Sequence, residues 1–236
     1  DQVLDMPDKV VAFRQVPGSS AGMKEYQRIL TDFENWMMEQ GGPEALYRIK
    51  GSEKLVQLGK LTEAAGMAKI PSAAEYIADI VEEGEQVVVM AHHKSVVRGL
   101  QEALTKLKVK SVKFYGETSP KEKEIAYKRF KEGKVPVFIG NISSAGTGLN
   151  LENSSQLVFV QLPWSPGEFV QASDRIFRVT QKRDCTIHVL SVPSTVDVRQ
   201  AAVLDKKSQI VDAINVGMDV RDDSDSVADE VMASLI

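Results

Sequence analysis

Along the chain, short apolar runs rich in β-branched residues alternate with stretches whose apolar positions recur every three or four residues. Residues 86–91 (QVVVMA) predict a buried parallel strand, because both faces of such a strand are covered and no polar alternation survives. From Lys94 to Leu107, Val97, Leu100, Leu104 and Leu107 follow helical spacing. Residues 111–115 predict a second strand and GETSP a turn, after which Ser119 and Pro120 supply a cap and first-turn proline for a helix to about Lys131. Its Ile125, Tyr127 and Phe130 face inward only in part, so this helix is expected to be mostly solvated. Further strands are expected at 135–140, 156–162 and 185–192, with a helix at about 166–177. Strands and helices in strict alternation predict an α/β fold, a parallel sheet with helices on both faces. Ligands are then expected at the C-terminal ends of the strands.

The two ends of the chain differ from this middle. Helical stretches at 22–40 and 53–67, separated by GGP at 41–43, predict an N-terminal helical appendage within residues 1–70. The alternating lobe takes 71–216, closing with a helix from Val196 to about Asn215. Residues 217–236, acidic and rich in small side chains, are expected to form a flexible or loosely docked tail.

Composition leaves this picture intact, with 43% apolar and 26% charged residues, as in ordinary globular proteins. No apolar run approaches the roughly 18 residues that cross a bilayer, and the N-terminus lacks the build of a signal peptide. An intracellular protein is expected: cytoplasmic or nucleoid-associated in a prokaryote or virus-infected cell, nuclear in a eukaryote. The chain begins at Asp1 rather than Met, as a processed chain or a piece of a longer one would. Cys185 is the single cysteine, which excludes an internal disulfide and a cysteine zinc cluster. His92, His93 and His188 are the only histidines and show no metal-ligand spacing, so no metal is expected to be bound by this chain. Net charge is −4, yet residues 91–183 hold sixteen Lys and Arg against eight Asp and Glu. A basic middle between acidic flanks fits phosphate binding or an ordinary solvated surface equally.

Two stretches carry candidate chemistry. In QASDRIFRVTQKR, Gln171, Arg175 and Arg178 stand at i, i+4 and i+7, which on a continuous helix forms one polar stripe. Paired guanidiniums suit phosphate oxygens and charge developing in phosphoryl transfer. A surface ion-pair helix, with Asp174 or Glu168 as partners, explains the spacing as well. In NISSAGTGLNL, Gly146 and Gly148 and the hydroxyls of Ser143, Ser144 and Thr147 allow close approach to an anion, as does many an ordinary βα loop.

Taken in order, AGTGLNL, LPWSP and QASDRIFRVTQ resemble motifs V and VI of superfamily 2 helicases, in the spelling of the SWI/SNF-type family: AGGxGLNL, DPxWNP and QAxDRxHRxGQ. Upstream, VVVMAHHK and FYGETSPKEKEIAYKRF resemble that family's motif IV region, and the paired histidines its annealing-helicase branch. The resemblance spans about 86–215, and MPDKVVAF is similar to the start of the same lobe. It implies a RecA-like sheet, with Arg178 as arginine finger, Arg175 one turn before it, and Gln171 in support. Gly146, Gly148 and Asn150 would lie on the nucleotide side. His92, His93, Lys94, Ser143 and Ser144 would lie near the DNA backbone, with Trp164 either stacking on a base or wedging the fold. Lys121, Lys123, Lys128, Arg129, Lys131 and Lys134 would be backbone contacts or merely solvated. Phe177 stands where the family usually has His, and Thr180 where it has Gly.

No GxxxxGK occurs, and no acidic box follows an apolar strand in a suitable place. ATP and Mg²⁺ are therefore expected only together with a separate N-terminal lobe, with double-stranded DNA as the other partner and no membrane. The chain is expected to be half of an ATP-driven DNA translocase, inactive alone. The alternative is a non-catalytic nucleic-acid-binding or regulatory module that kept the fold. Family members mostly translocate without unwinding, so strand separation is not implied.

Overall fold

The computed structural model describes residues 7–142, 148–214 and 224–235. Six strands form one parallel sheet: β1 (Lys9–Gln15), β2 (Val87–Ala91), β3 (Ser111–Phe114), β4 (Val137–Asn141), β5 (Gln156–Phe159) and β6 (Cys185–Ser191), in the order β1-β6-β5-β2-β4-β3. Helices α1 (Ser20–Glu39), α2 (Gly51–Glu82), α3 (Lys94–Lys106), α4 (Pro120–Lys131), α5 (Pro166–Ser173), α6 (Val196–Ile214) and α7 (Ser224–Ala233) connect or cover the strands.

Period-two alternation divides the strands between two cores. Val87, Val89 and Ala91 of β2, Val137 and Ile139 of β4, and Val158 of β5 pack with α3 and the second half of α2. Val88, Met90, Phe138, Leu157 and Phe159 join α1 and the first half of α2 on the opposite face. Every residue of β2 is fully buried, as a central parallel strand requires. From β2 the chain moves outward through β3 and back to β4, then crosses to β5 on the other side of β2. The strand order reverses there, so the connections leaving β2 and β5 diverge and open a crevice above the sheet.

Several elements match the expected spans, and α4 carries a full capping box between Ser119 and Glu122. Others differ, for identifiable reasons. The helix expected to end at 67 runs on to Glu82, through residue 70 and through Pro71. A mid-helix proline costs on the order of 3 kcal/mol. Complete burial of Leu61, Ala65, Ala68, Ala73 and Ile77 along the same helix offsets that cost. Lys69 is fully buried on α2, pairing with Asp197 at the start of α6 at 2.7 Å and donating to Leu190 O at 3.0 Å. β1 lies at the sheet edge beside β6 with Val10, Val11 and Phe13 exposed, so no hydrophobic alternation announced it. Within the expected flexible tail, α7 docks on α2 through Val227, Ala228, Val231 and Met232, all fully buried. Asp229 of α7 meets the nearly buried Lys54 of α2 at 2.6 Å.

Candidate nucleotide and DNA cleft

An open cleft of about 1740 Å³ occupies the crevice at the strand ends. Its floor comes from His92 and His93, which follow β2, and from Asn150 after β4. One wall is the stretch from Trp164 to Thr180, the other the first half of α2 with Leu55, Gly59, Lys60 and Glu63. Groups more than eighty positions apart in the chain thus share one space.

The helix expected through 177 stops at Ser173. Ser173 Oγ donates to Phe169 O at 2.8 Å, and tight turns follow as Arg175 N meets Ala172 O and Ile176 N meets Ser173 O. Ile176 is completely buried, which turns the chain inward and out of helical register. Gln171, Arg175 and Arg178 therefore share the cleft without sharing a helix. Gln181 fixes the turn: its Nε2 lies 3.0 Å from Glu152 O, 3.1 Å from Ser154 O and 3.0 Å from Ile176 O, while its Oε1 accepts from Lys182 N and Arg183 N. Leu151 N donates to Arg175 O at 2.9 Å and Arg178 Nη2 to Leu149 O at 3.2 Å. These bonds tie the two glycine- and arginine-bearing stretches into one unit.

Charged groups of both signs meet at this wall. Burial, then repulsion from Arg178, lowers the proton affinity of Arg175, which is only 7% exposed. Arg178 Nε is buried without a hydrogen-bond partner among the described residues. Asp174 is raised above the usual carboxylate range by burial, against the pull of Lys9 at 3.9 Å and of both arginines. Asp174 lines the same wall as the arginines, pairing with Lys9 at 3.9 Å while also attracting Arg175 and Arg178.

The remaining expected residues are distributed unevenly. His92 and His93 line the cleft and are held below the ordinary histidine range, chiefly by burial. Lys94 pairs with Glu117 at 2.7 Å, and Glu117 also holds Arg98 at 2.6 Å. Trp164 borders the cleft but is 7% exposed and packs in the core. Gly148 has φ 66°, a conformation that favours glycine, and stands exposed. Asn150 uses Oδ1 to accept from Glu152 N at 3.1 Å, shaping its own turn. Ser143, Ser144 and Gly146 lie outside the described residues. Among the described residues no group of three or more His, Cys, Asp or Glu is placed to hold a metal ion, and no helix is long and apolar enough to cross a membrane.

Comparison with known proteins fits this geometry. Residues 70–180 match the family Helicase conserved C-terminal domain. The chain is 35% identical over 131 residues to SWI/SNF-related matrix-associated actin-dependent regulator of chromatin subfamily A-like protein 1 of Bos taurus, covering 55% of this chain and 14% of that protein. It is 29% identical over 195 residues to DNA annealing helicase and endonuclease ZRANB3 of Homo sapiens, covering 81% of this chain and 17% of that one. The Sulfolobus solfataricus SWI2/SNF2 ATPase core in complex with dsDNA superposes with a TM-score of 0.68 at 20% identity, over 98% of this chain and 48% of that one. The C-terminal part of the Fun30 ATPase domain gives 0.66 at 15% identity, over 96% and 98%. The chain is similar to the C-terminal helicase lobe of SWI/SNF-type proteins.

The two departures from that family's spelling have visible consequences. Phe177 offers its ring to Lys9 Nζ at 5.1 Å, and Thr180 donates its hydroxyl to Glu152. Two residues were not singled out from sequence: Gln181, the hub of the arginine turn, and Gln161, which binds the His92–His93 segment to α2. A buried glutamine inside an apolar strand run was the only available signal for Gln161.

Proposed function

We propose that this lobe supplies the arginine-bearing half of an ATP-driven motor on double-stranded DNA, with Arg178 as arginine finger, Arg175 beside it and Gln171 in support. One observation carries the reading: Arg175, Arg178 and Asn150 converge with His92 and His93 in a single open cleft at the reversal of strand order. The arginine pair fits the outer oxygens of a phosphate chain. The sequence has no GxxxxGK loop, so this reading assigns the β- and γ-phosphates and the magnesium ion to a facing lobe that carries one. When bound there, ATP supplies the phosphoryl group. This chain's part is to place two guanidiniums against the charge that develops on it.

The chain spans 14–17% of the length of these relatives, so the motor is a property of the whole protein. Mixing the lobe with a matching N-terminal lobe and duplex DNA should give DNA-stimulated ATP hydrolysis, and the lobe alone none. Turnover by the lobe alone would refute the half-site. Duplex binding without any restored turnover would favour a non-catalytic nucleic-acid-binding module.

A further inference from the structure

Gln161 lies just beyond β5 and is 3% exposed. Its Oε1 accepts two backbone N–H groups, His92 N at 3.0 Å and His93 N at 2.9 Å. Its Nε2 stands 2.9 Å from Thr62 O and 2.9 Å from His93 Nδ1. The carboxamide cannot be turned over, because its NH₂ would then face two amide donors. Both hydrogens of Nε2 are therefore committed, one to Thr62 O and one to His93 Nδ1. His93 Nδ1 is an acceptor, and the ring carries its proton on Nε2.

One glycine of α2 makes room for this arrangement: a Cβ at Gly66 would stand 2.7 Å from Gln161 Nε2, closer than any side chain allows. His93 lines the cleft beside Gly59 of the same helix, where a Cβ would only reach ordinary contact with His93 Nε2 at 3.9 Å.

We propose that Gln161 is a positioning residue that holds His93 as a neutral Nε2–H donor in the arginine-bearing cleft, where it meets a phosphate oxygen of duplex DNA. The ligand half rests on the function proposed above; the tautomer rests on the hydrogen bonds alone. The charged groups around His93 are Lys60 and Glu63 on α2, His92 beside it, and Glu168, Asp174, Arg175 and Arg178 on the facing wall. Burial keeps the ring neutral against the pull of Glu63.

Histidine ¹⁵N NMR of the full chain tests this, comparing wild type, Gln161→Glu and Gln161→Leu across pH 4–8. Wild-type His93 should be the Nε2–H tautomer and titrate below about 6.5. Gln161→Glu faces Nδ1 with a carboxylate, so titration should rise above that value, whereas Gln161→Leu only removes the bond that favours the neutral ring and should bring it no further than the ordinary range. Identical titrations in the two variants would overturn the positioning role. Gly66→Ala, which crowds the amide, should move His93 toward the ordinary range; an unchanged value counts against the proposal. Adding mixed-sequence duplex should shift the His93 Nε2 resonance, and Gln161→Leu should weaken binding about fivefold, the loss of one hydrogen bond. Duplex binding with His93 unmoved overturns the donor role. Absence of duplex binding, with titrations as expected, refutes the DNA reading and leaves the tautomer assignment supported.

Discussion

Replacing Lys69 by Met isolates what the buried ion pair contributes. Lys69 is 0% exposed, and its ammonium touches Asp197 Oδ2 at 2.7 Å and Leu190 O at 3.0 Å, joining α2 to the end of β6 and the start of α6. Met matches the length of the aliphatic stem, so packing is kept and the charge alone is removed. Asp197 would then remain buried, still accepting a hydrogen bond from Val192 N at 3.2 Å. Breaking such a pair costs about 3–5 kcal/mol. For a chain of this size that corresponds to a fall in Tm of roughly 6–20 °C. Lys69→Met/Asp197→Asn keeps an acceptor for Val192 and removes the stranded charge, so it should recover at least half of the loss. Urea unfolding of the four proteins by circular dichroism at pH 7 gives the double-mutant cycle. A Lys69→Met protein within about 1 kcal/mol of wild type, or strictly additive losses, would refute the reasoning.

Three other perturbations follow from the same contacts. Gln181→Ala strips donors from three carbonyls and an acceptor from two amides, so it should cost about 2–4 kcal/mol in urea unfolding. His188, bonded to Tyr76 Oη and Gln156 Oε1 at 2.8 Å each, is lowered to about 4 by burial and by Arg14. Its folded value lies below its unfolded one, so its stabilising contribution is complete above about pH 6.5 and is lost as pH falls toward 4. Tm should therefore drop less over that window in His188→Gln than in wild type. Asp229→Lys sets a cation against the nearly buried Lys54, and should increase amide exchange in residues 54–63 while leaving β2 protected.

How much was legible in the sequence depended on whether the cause was local. The fully buried β2 and β4 announced themselves as apolar runs, and the cap of α4 as Ser119 and Pro120. β1 did not, because an edge strand owes its existence to β6 and keeps its apolar side chains exposed. The continuation of α2 past Lys69 and Pro71 was hidden because both tolerances are tertiary: the charge is met by Asp197 and the missing backbone bond is offset by burial. The stretch from Gln171 to Arg178 was recognisable as chemistry, yet its helical geometry failed where Ile176 dives into the core. Gln161 was invisible for the plainest reason, since its partners stand at 62, 92 and 93.

The central claim, that Arg178 acts on the phosphoryl group rather than on binding, is tested most directly by single-turnover ATP hydrolysis in the reconstituted two-lobe enzyme on saturating duplex. Arg178→Ala should lower the rate constant by about 10³-fold or more while duplex affinity stays within a few-fold. A hydrolysis rate within about tenfold of wild type, with weakened duplex binding instead, would contradict it.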